Sequence, residues 1–251
     1  MGRYISCDGT KIKLIALLTM IIDHFAASIV FCLIVNRGYS EYTDSYYACR
    51  YIGRLAFPIF CFFIVEGYFH TKNVKKYVLR LFLFALISEI PFDMTIKRTF
   101  LEFSHQNVYF TLCLGLVAIW AIDYAFARFD FFDSRRVLFA ATGFVVPMML
   151  AYFAKTDYSI KGVLIIVLIY LFHGVPVLPA LIGPAVLAIW EVADGIGKAN
   201  SRYYEVAAIL GVPIMLLYNG KRGRGINKFI FYTFYPLHLL IFGIISMVFL
   251  N

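Results

Sequence analysis

Hydrophobic residues in this chain come in long unbroken runs rather than in alternation with polar ones. Nine runs stand out, at 14–35, 53–69, 78–92, 107–127, 137–154, 162–172, 177–190, 203–218 and 229–250. Runs without a two-residue period predict helices rather than strands, and about 20 apolar residues cross a bilayer as a helix. The pattern therefore predicts an all-α fold, a polytopic integral membrane helix bundle whose backbone polar groups are satisfied within each span. The sixth and seventh runs are short and separated only by His173-Gly174-Val175-Pro176. Two short spans, a re-entrant hairpin or a broken helix all fit them. No internal repeat or low-complexity linker divides the chain, so residues 1–251 are read as one domain.

Composition agrees with a membrane setting. Hydrophobic residues make up 62% of the chain and charged ones 15%, against about 45–50% and ~25% in soluble domains. The 26 Phe and 18 Tyr suit lipid-facing and interfacial positions. A net charge of +8 would hint at nucleic acid in a soluble protein. Here it is what cytoplasmic loops rich in Lys and Arg produce, and no nucleic-acid partner is expected. The five scattered cysteines show no metal-ligand spacing and no disulfide framework, so no metal is expected. The first apolar run is too long for the core of a signal peptide and is expected to stay in the protein.

The basic residues also predict an orientation. The N-terminus carries Arg3, Lys11 and Lys13; the loop after the second run, with the start of the third, carries Lys72, Lys75, Lys76 and Arg80. Arg128, Arg135 and Arg136 follow the fourth run, none follows the sixth, and Lys221, Arg222, Arg224 and Lys228 follow the eighth. That side holds 14 of the 23 Lys and Arg. The bias places the N-terminus in the cytoplasm of a multi-pass protein of the inner or plasma membrane.

Against this apolar background, polar positions inside the runs need a reason. Asp23-His24 lies near the middle of the first run, where a charge costs at least ~2.5 kcal/mol and normally faces a bundle interior or cavity. Lys13 lies 11 residues earlier. At ~100° per residue both side chains share one helix face, roughly 16 Å apart along the axis. A cation at the membrane surface and an imidazole deep in the bilayer suit a long ligand with an anionic head and a reactive tip. A snorkelling lysine and a histidine bonded to a neighbouring helix would look the same.

Other candidates are spread along the chain. Arg54 and Glu66 sit near opposite ends of the second run, with Pro58 expected to kink it; Arg54 reads as an anion or carboxylate partner. Glu89 and Asp93 share a face if the helix continues past Pro91, and paired carboxylates can handle protons. Asn107, Thr111 and Gly115 recur every four residues. Thr111 and Gly115 read as helix packing, and Asn107 as packing or substrate orientation. The run Asn219-Gly220-Lys221-Arg222-Gly223-Arg224 is a turn with basic residues, either a positive anchor or a phosphate clamp. His238, after Tyr235-Pro236-Leu237, is interfacial or a second histidine in the same cavity.

Six of these stretches, in order, resemble the TraX family, named for the protein that acetylates the F-pilin N-terminus: KLIALLTMIIDH from Lys13, GRLAFPIFCFFIVEGY from Gly53, SEIPFD from Ser88, NVYFTLCLG from Asn107, LYNGKRG from Leu217 and FYPLHL from Phe234. The resemblance runs from about residue 10 to 245. The family is similar to the wider transmembrane acyltransferases, in which a basic residue precedes a first-span histidine by ten intervening residues; Lys13 and His24 match that spacing. The resemblance implies acetyl-CoA as donor, entering from the cytoplasm, and an acceptor at or beyond the outer face. A pilin-like peptide N-terminus and a surface glycan both remain open as acceptor.

On this reading the chain is a membrane-embedded acetyltransferase. His24 is the expected general base, with a covalent acetyl-histidine as the variant route. Asp23 is grouped with it as catalytic, although it points ~100° away and is placed to pair with Arg54 or another basic group. Lys13 and Arg54 are expected to bind the donor. Glu66, Glu89, Asp93, Asn107 and His238 are the candidate substrate contacts. Two other classes stay open: a proton-coupled transporter using Asp23, Glu66, Glu89 and Asp93, and an assembly factor without chemistry.

Overall fold

A computed structural model describes residues 6–196, 203–223 and 228–249. Arg3, Arg224 and the last position of the ninth run lie outside the described residues. Among the described residues every named element is helical, and two isolated β-bridges, Cys7 to Tyr218 and Gln106 to Thr156, are the only extended pairings. In chain order the helices are α1 (Gly9–Phe25), α2 (Phe31–Arg37), α3 (Thr43–Gly53), α4 (Ala56–His70), α5 (Val74–Ile96) and α6 (Val108–Arg128). Then come α7 (Ser134–Phe153), α8 (Ser159–Leu171), α9 (Leu178–Gly195), α10 (Val212–Leu216) and α11 (Lys228–Phe249). A π-helical turn, Ala26–Val30, joins α1 to α2, and 3-10 turns at Ser40–Tyr42 and Glu205–Gly211 precede α3 and α10.

The protein is a multi-pass membrane protein. Among the described residues six helical stretches are long and apolar enough to cross a membrane: Gly9–Arg37, Ser40–His70, Val108–Arg128, Ser134–Phe153, Leu178–Gly195 and Phe229–Val248. The expected nine runs are all at least partly helical, but nine crossings are not what the lengths support. The run at 78–92 lies in α5, 23 residues long, whose Arg80, Glu89 and Asp93 interrupt its apolar stretch. The run at 162–172 forms α8, only 13 residues, or ~20 Å of helix. The run at 177–190 is longer than its hydropathy shows, because α9 continues to Gly195 for 18 residues. The run at 203–218 breaks into a 3-10 turn and the five-residue α10, with Pro213 in the first turn of α10, where its missing N–H is tolerated.

Local chemistry explains several boundaries. Asp8 caps α1 by accepting from the Lys11 amide at 3.0 Å, and Asn107 caps α6 by accepting from the Tyr109 amide at 3.0 Å. Gly38, at φ +70°, ends α2 in the left-handed conformation that glycine adopts without steric cost. The helical stretch Ser40–His70 breaks at Arg54-Leu55. Pro58 therefore falls in the first turn of α4, and the interruption it imposes lies just before it. Pro91, by contrast, sits inside α5, which continues to Ile96.

The chain packs as two compact units. One comprises residues up to Phe60, Ile90–Leu101 and residues from Ala180 on; the other comprises Cys61–Glu89 and Glu102–Pro179. Ile12, Ala16, Ile59, Leu187 and Leu239 are wholly buried in the first, and Leu81, Leu116, Ile119, Ile165 and Ile166 in the second. In the second unit Gly115 lets α6 and α8 meet closely, because a Cβ there would fall on Ile166. Along α7 the apolar Val137, Leu138, Val145, Val146, Met149 and Leu150 stay exposed, as lipid-facing side chains do.

Candidate active site

Asp23 and His24 are neighbours in sequence, and the helix sends them in different directions. Asp23 is buried and faces α3. The Nη2 of Arg54 donates to both Asp23 oxygens, at 2.7 and 2.8 Å. The Nη1 of Arg50, one turn earlier, donates to Oδ2 at 2.9 Å. Arg54 also gives Nη1 to Glu205 Oε1 at 3.0 Å, so two arginines and two carboxylates form one network, buried except at the partly exposed Arg50. Gly53 makes the approach possible, since a Cβ there would overlap the Asp23 carboxylate.

His24 faces α11. Its Nδ1 lies 2.7 Å from Nε2 of His238, with the two rings nearly parallel at 11° and their centroids 5.0 Å apart. His238 is buried, and its Nδ1 lies 2.8 Å from the Phe234 carbonyl. A carbonyl only accepts, so His238 Nδ1 carries a proton, and in the neutral ring Nε2 is then an acceptor. His24 must therefore donate from Nδ1, which leaves the lone pair on His24 Nε2. This chain of two hydrogen bonds selects the Nδ1-protonated tautomer of His24. Tyr235 meets the His24 ring edge-on at 5.9 Å, and Phe242 meets His238 edge-on at 5.8 Å. The π-helical turn starts two residues after His24, and the Ser28 hydroxyl donates to the His24 carbonyl at 2.6 Å. Such turns recur at functional sites.

Lys13 sits three turns from His24 on the unbroken α1, partly buried, with Nζ 5.9 Å from the Phe231 ring centroid of α11. Phe231, Tyr235 and His238 follow each other at helical spacing along α11, so one face of α11 lines the Lys13–His24 stripe. The first unit thus brings together Lys13, Asp23, His24, Arg54 and His238. Arg54 aims its end nitrogens at carboxylates, those of Asp23 and Glu205.

Asp93 is wholly buried on α5 in the first unit. Glu89 and Asn107 meet in the second unit: Asn107 Nδ2 donates to Glu89 Oε2 and, at 2.8 Å, to the Ala85 carbonyl, tying the start of α6 to α5. Glu66 pairs there with His173 Nε2 at 2.6 Å. In the same unit Asp123 accepts from two phenols, Tyr68 at 2.6 Å and Tyr170 at 2.7 Å.

Sequence reasoning passed over Arg50, Glu205 and Asp123. Glu205 and Asp123 each put a carboxylate inside an apolar run, the same signal that singled out Asp23. Arg50 precedes the second run and gave no such signal beyond its four-residue spacing from Arg54.

The family described as TraX protein matches residues 8–246. A protein of Dichelobacter nodosus named "Probable fimbrial assembly protein FimC, serogroup H1" is 28% identical over 261 residues, spanning 95% of this chain and 96% of its own. No solved structure matches.

Proposed function

We propose, from the premise that the chain belongs to the TraX family, that it is an acetyltransferase moving an acetyl group from cytoplasmic acetyl-CoA to an amine or hydroxyl at or beyond the outer face. The observation that carries this reading is the His24–His238 pair, which leaves a lone pair on His24 Nε2. The family's link to pilin acetylation and the name of the Dichelobacter nodosus relative favour the N-terminal amine of a pilin-like subunit as the first acceptor to try; a surface glycan hydroxyl is the other.

In the proposed step the neutral acceptor nitrogen attacks the thioester carbonyl carbon. His24 Nε2 takes the N–H proton as the C–N bond forms. The tetrahedral intermediate collapses, the C–S bond breaks, and the imidazolium returns the proton to the leaving sulfur. The products are the acetylated acceptor and CoA thiol. His238 holds the reactive tautomer and shares the positive charge of His24 through the Nδ1 hydrogen bond. Lys13 faces the donor's anionic portion, with the N-terminus on the cytoplasmic side as the basic residues predict. Arg54 and Asp23 position α1 rather than contact the donor.

The test is turnover by purified protein in liposomes or detergent, given acetyl-CoA and either a pilin N-terminal peptide or a glycan. Thiol release matched by the mass of one added acetyl group is the expected result. His24→Ala should lower turnover by about 10²–10⁴-fold while melting as a folded protein. Wild-type turnover in that variant, or proton flux through the protein without thiol release for either acceptor, overturns the proposal.

A further inference from the structure

The basic turn after α10 is not a loose tether. Its backbone is fastened to the start of α1: Cys7 N–H donates to the Leu217 carbonyl at 2.8 Å, Asn219 N–H to Cys7 at 3.0 Å, and Gly9 N–H to Lys221 at 2.8 Å. The Thr10 hydroxyl adds a bond to the Arg222 carbonyl at 3.0 Å. Within the turn, Asn219 Oδ1 accepts from the Lys221 amide at 3.0 Å. Gly220 and Gly223 take φ of +72° and +84°, and a Cβ on Gly223 would lie 2.5 Å from Asp8 Oδ1. The turn is seated flush on the first turn of α1.

This seating gathers cations from two ends of the chain. Lys11, Lys221 and Arg222 are all exposed there, and Lys13 follows two residues along α1. In segments 6–22 and 206–223 the single acidic residue is Asp8, whose carboxylate is used in capping α1. A positive anchor at a membrane surface needs basic residues but no fixed backbone. Two left-handed glycines and four long-range hydrogen bonds are what a binding surface of defined shape needs.

We propose that Lys11, Lys221 and Arg222 form a phosphate-binding platform that holds the phosphorylated adenosine end of the acetyl donor. The ligand's identity rests on the acetyl-CoA reading; its phosphate chemistry rests on the platform alone. From Lys11 to His24 the axial distance is roughly 20 Å at 1.5 Å per residue, so a linear arm between phosphates and thioester runs along the Lys13–His24 stripe. An anionic lipid headgroup carries the same phosphate chemistry, and the experiment separates the two.

The probe is adenosine 3′,5′-bisphosphate, which carries phosphates but no thioester, against adenosine, which carries neither. With the whole protein in neutral detergent, the bisphosphate should raise the unfolding midpoint and adenosine should not. Lys221→Ala/Arg222→Ala should weaken the bisphosphate, and raise KM for acetyl-CoA, by at least about tenfold. Lys221→Arg/Arg222→Lys should restore both. Absence of bisphosphate binding in the wild type, or wild-type affinity in the alanine variant, overturns the platform. A midpoint that responds through these residues to anionic lipid in mixed micelles, but not to bisphosphate, assigns the platform to lipid and also overturns the nucleotide assignment. Bisphosphate binding through the platform without acetyl transfer would leave the platform standing and remove the acetyltransferase reading. Acetyl transfer with an unchanged KM in the alanine variant would do the reverse.

Discussion

Removing the Asp23 carboxylate should expose how much the buried network stabilises the fold. Asp23 accepts three hydrogen bonds from two guanidinium groups, at 2.7, 2.8 and 2.9 Å. With Asp23, Glu205, Arg50 and Arg54 ionised, the network has no net charge. Asp23→Ala leaves it at +1, Arg54→Ala at −1, and the double variant at zero again. Breaking one side of a buried pair costs about 3–5 kcal/mol. Arg50 keeps 23% of its side chain exposed, so water offsets part of its loss and the lower end applies to Asp23→Ala. Because the double variant restores neutrality, the two losses should not add, and the coupling should be about 2–3 kcal/mol. Neutral hydrogen bonds between membrane helices average about 0.6 kcal/mol, so a coupling of this size would identify an ion pair. The assay is a double-mutant cycle on reversible unfolding in mixed micelles, followed by helical circular dichroism. Additivity within about 0.5 kcal/mol would refute the network as described.

The tautomer argument predicts that His238→Ala lowers kcat by about 10–100-fold, the loss that removing an imidazole's orienting hydrogen-bond partner brings in metal sites. His238→Gln, which keeps an acceptor for His24 Nδ1, should retain more activity, as steady-state kinetics would show. Gly53→Ala should destabilise by about 1–3 kcal/mol through overpacking, and Asp23→Ala should remove most of that penalty in a double-mutant unfolding cycle. Asp123→Ala should cost about 1.5–3 kcal/mol, because two phenols lose a charged acceptor; in a Tyr68→Phe/Tyr170→Phe background its unfolding midpoint should shift far less.

Helical character was legible because bilayer-length apolar runs leave the backbone few other solutions. Crossing number was less so. Hydropathy does not distinguish α8, which stops at Leu171, from α9, which continues through Glu191 and Asp194 to Gly195. Nor does it show that the run around Pro213 is half 3-10 turn. The Thr111-Gly115 spacing was readable as packing, and Gly115 does lie against Ile166. The partners of Asp23 were only half readable. Arg54 lies in a recognisable motif, whereas Glu205 is 182 residues away from Asp23 in sequence and joins it only through Arg54. Pro58 marks the break at Arg54-Leu55 locally, whereas the π-helical turn after His24 carries no such local signature.

Two polar residues side by side in mid-span are expensive together, and the structure offsets them separately. Successive helix positions differ by ~100°, so Asp23 reaches Arg50 of α3 and Arg54 just beyond its end, while His24 reaches α11. Asp23 is neutralised by charge; His24 is satisfied by a hydrogen-bond chain that ends on the Phe234 carbonyl. The two solutions share one turn of α1, so the ion-pair network fixes the rotation at which α1 presents its imidazole. A rotation of α1 about its own axis would change the 2.7 Å His24–His238 contact and release the tautomer. Variants of the network should therefore lose activity in step with stability, whereas His238 variants should lose activity while the network remains intact. That separation distinguishes an imidazole held for chemistry from one that is merely a buried polar group with a partner.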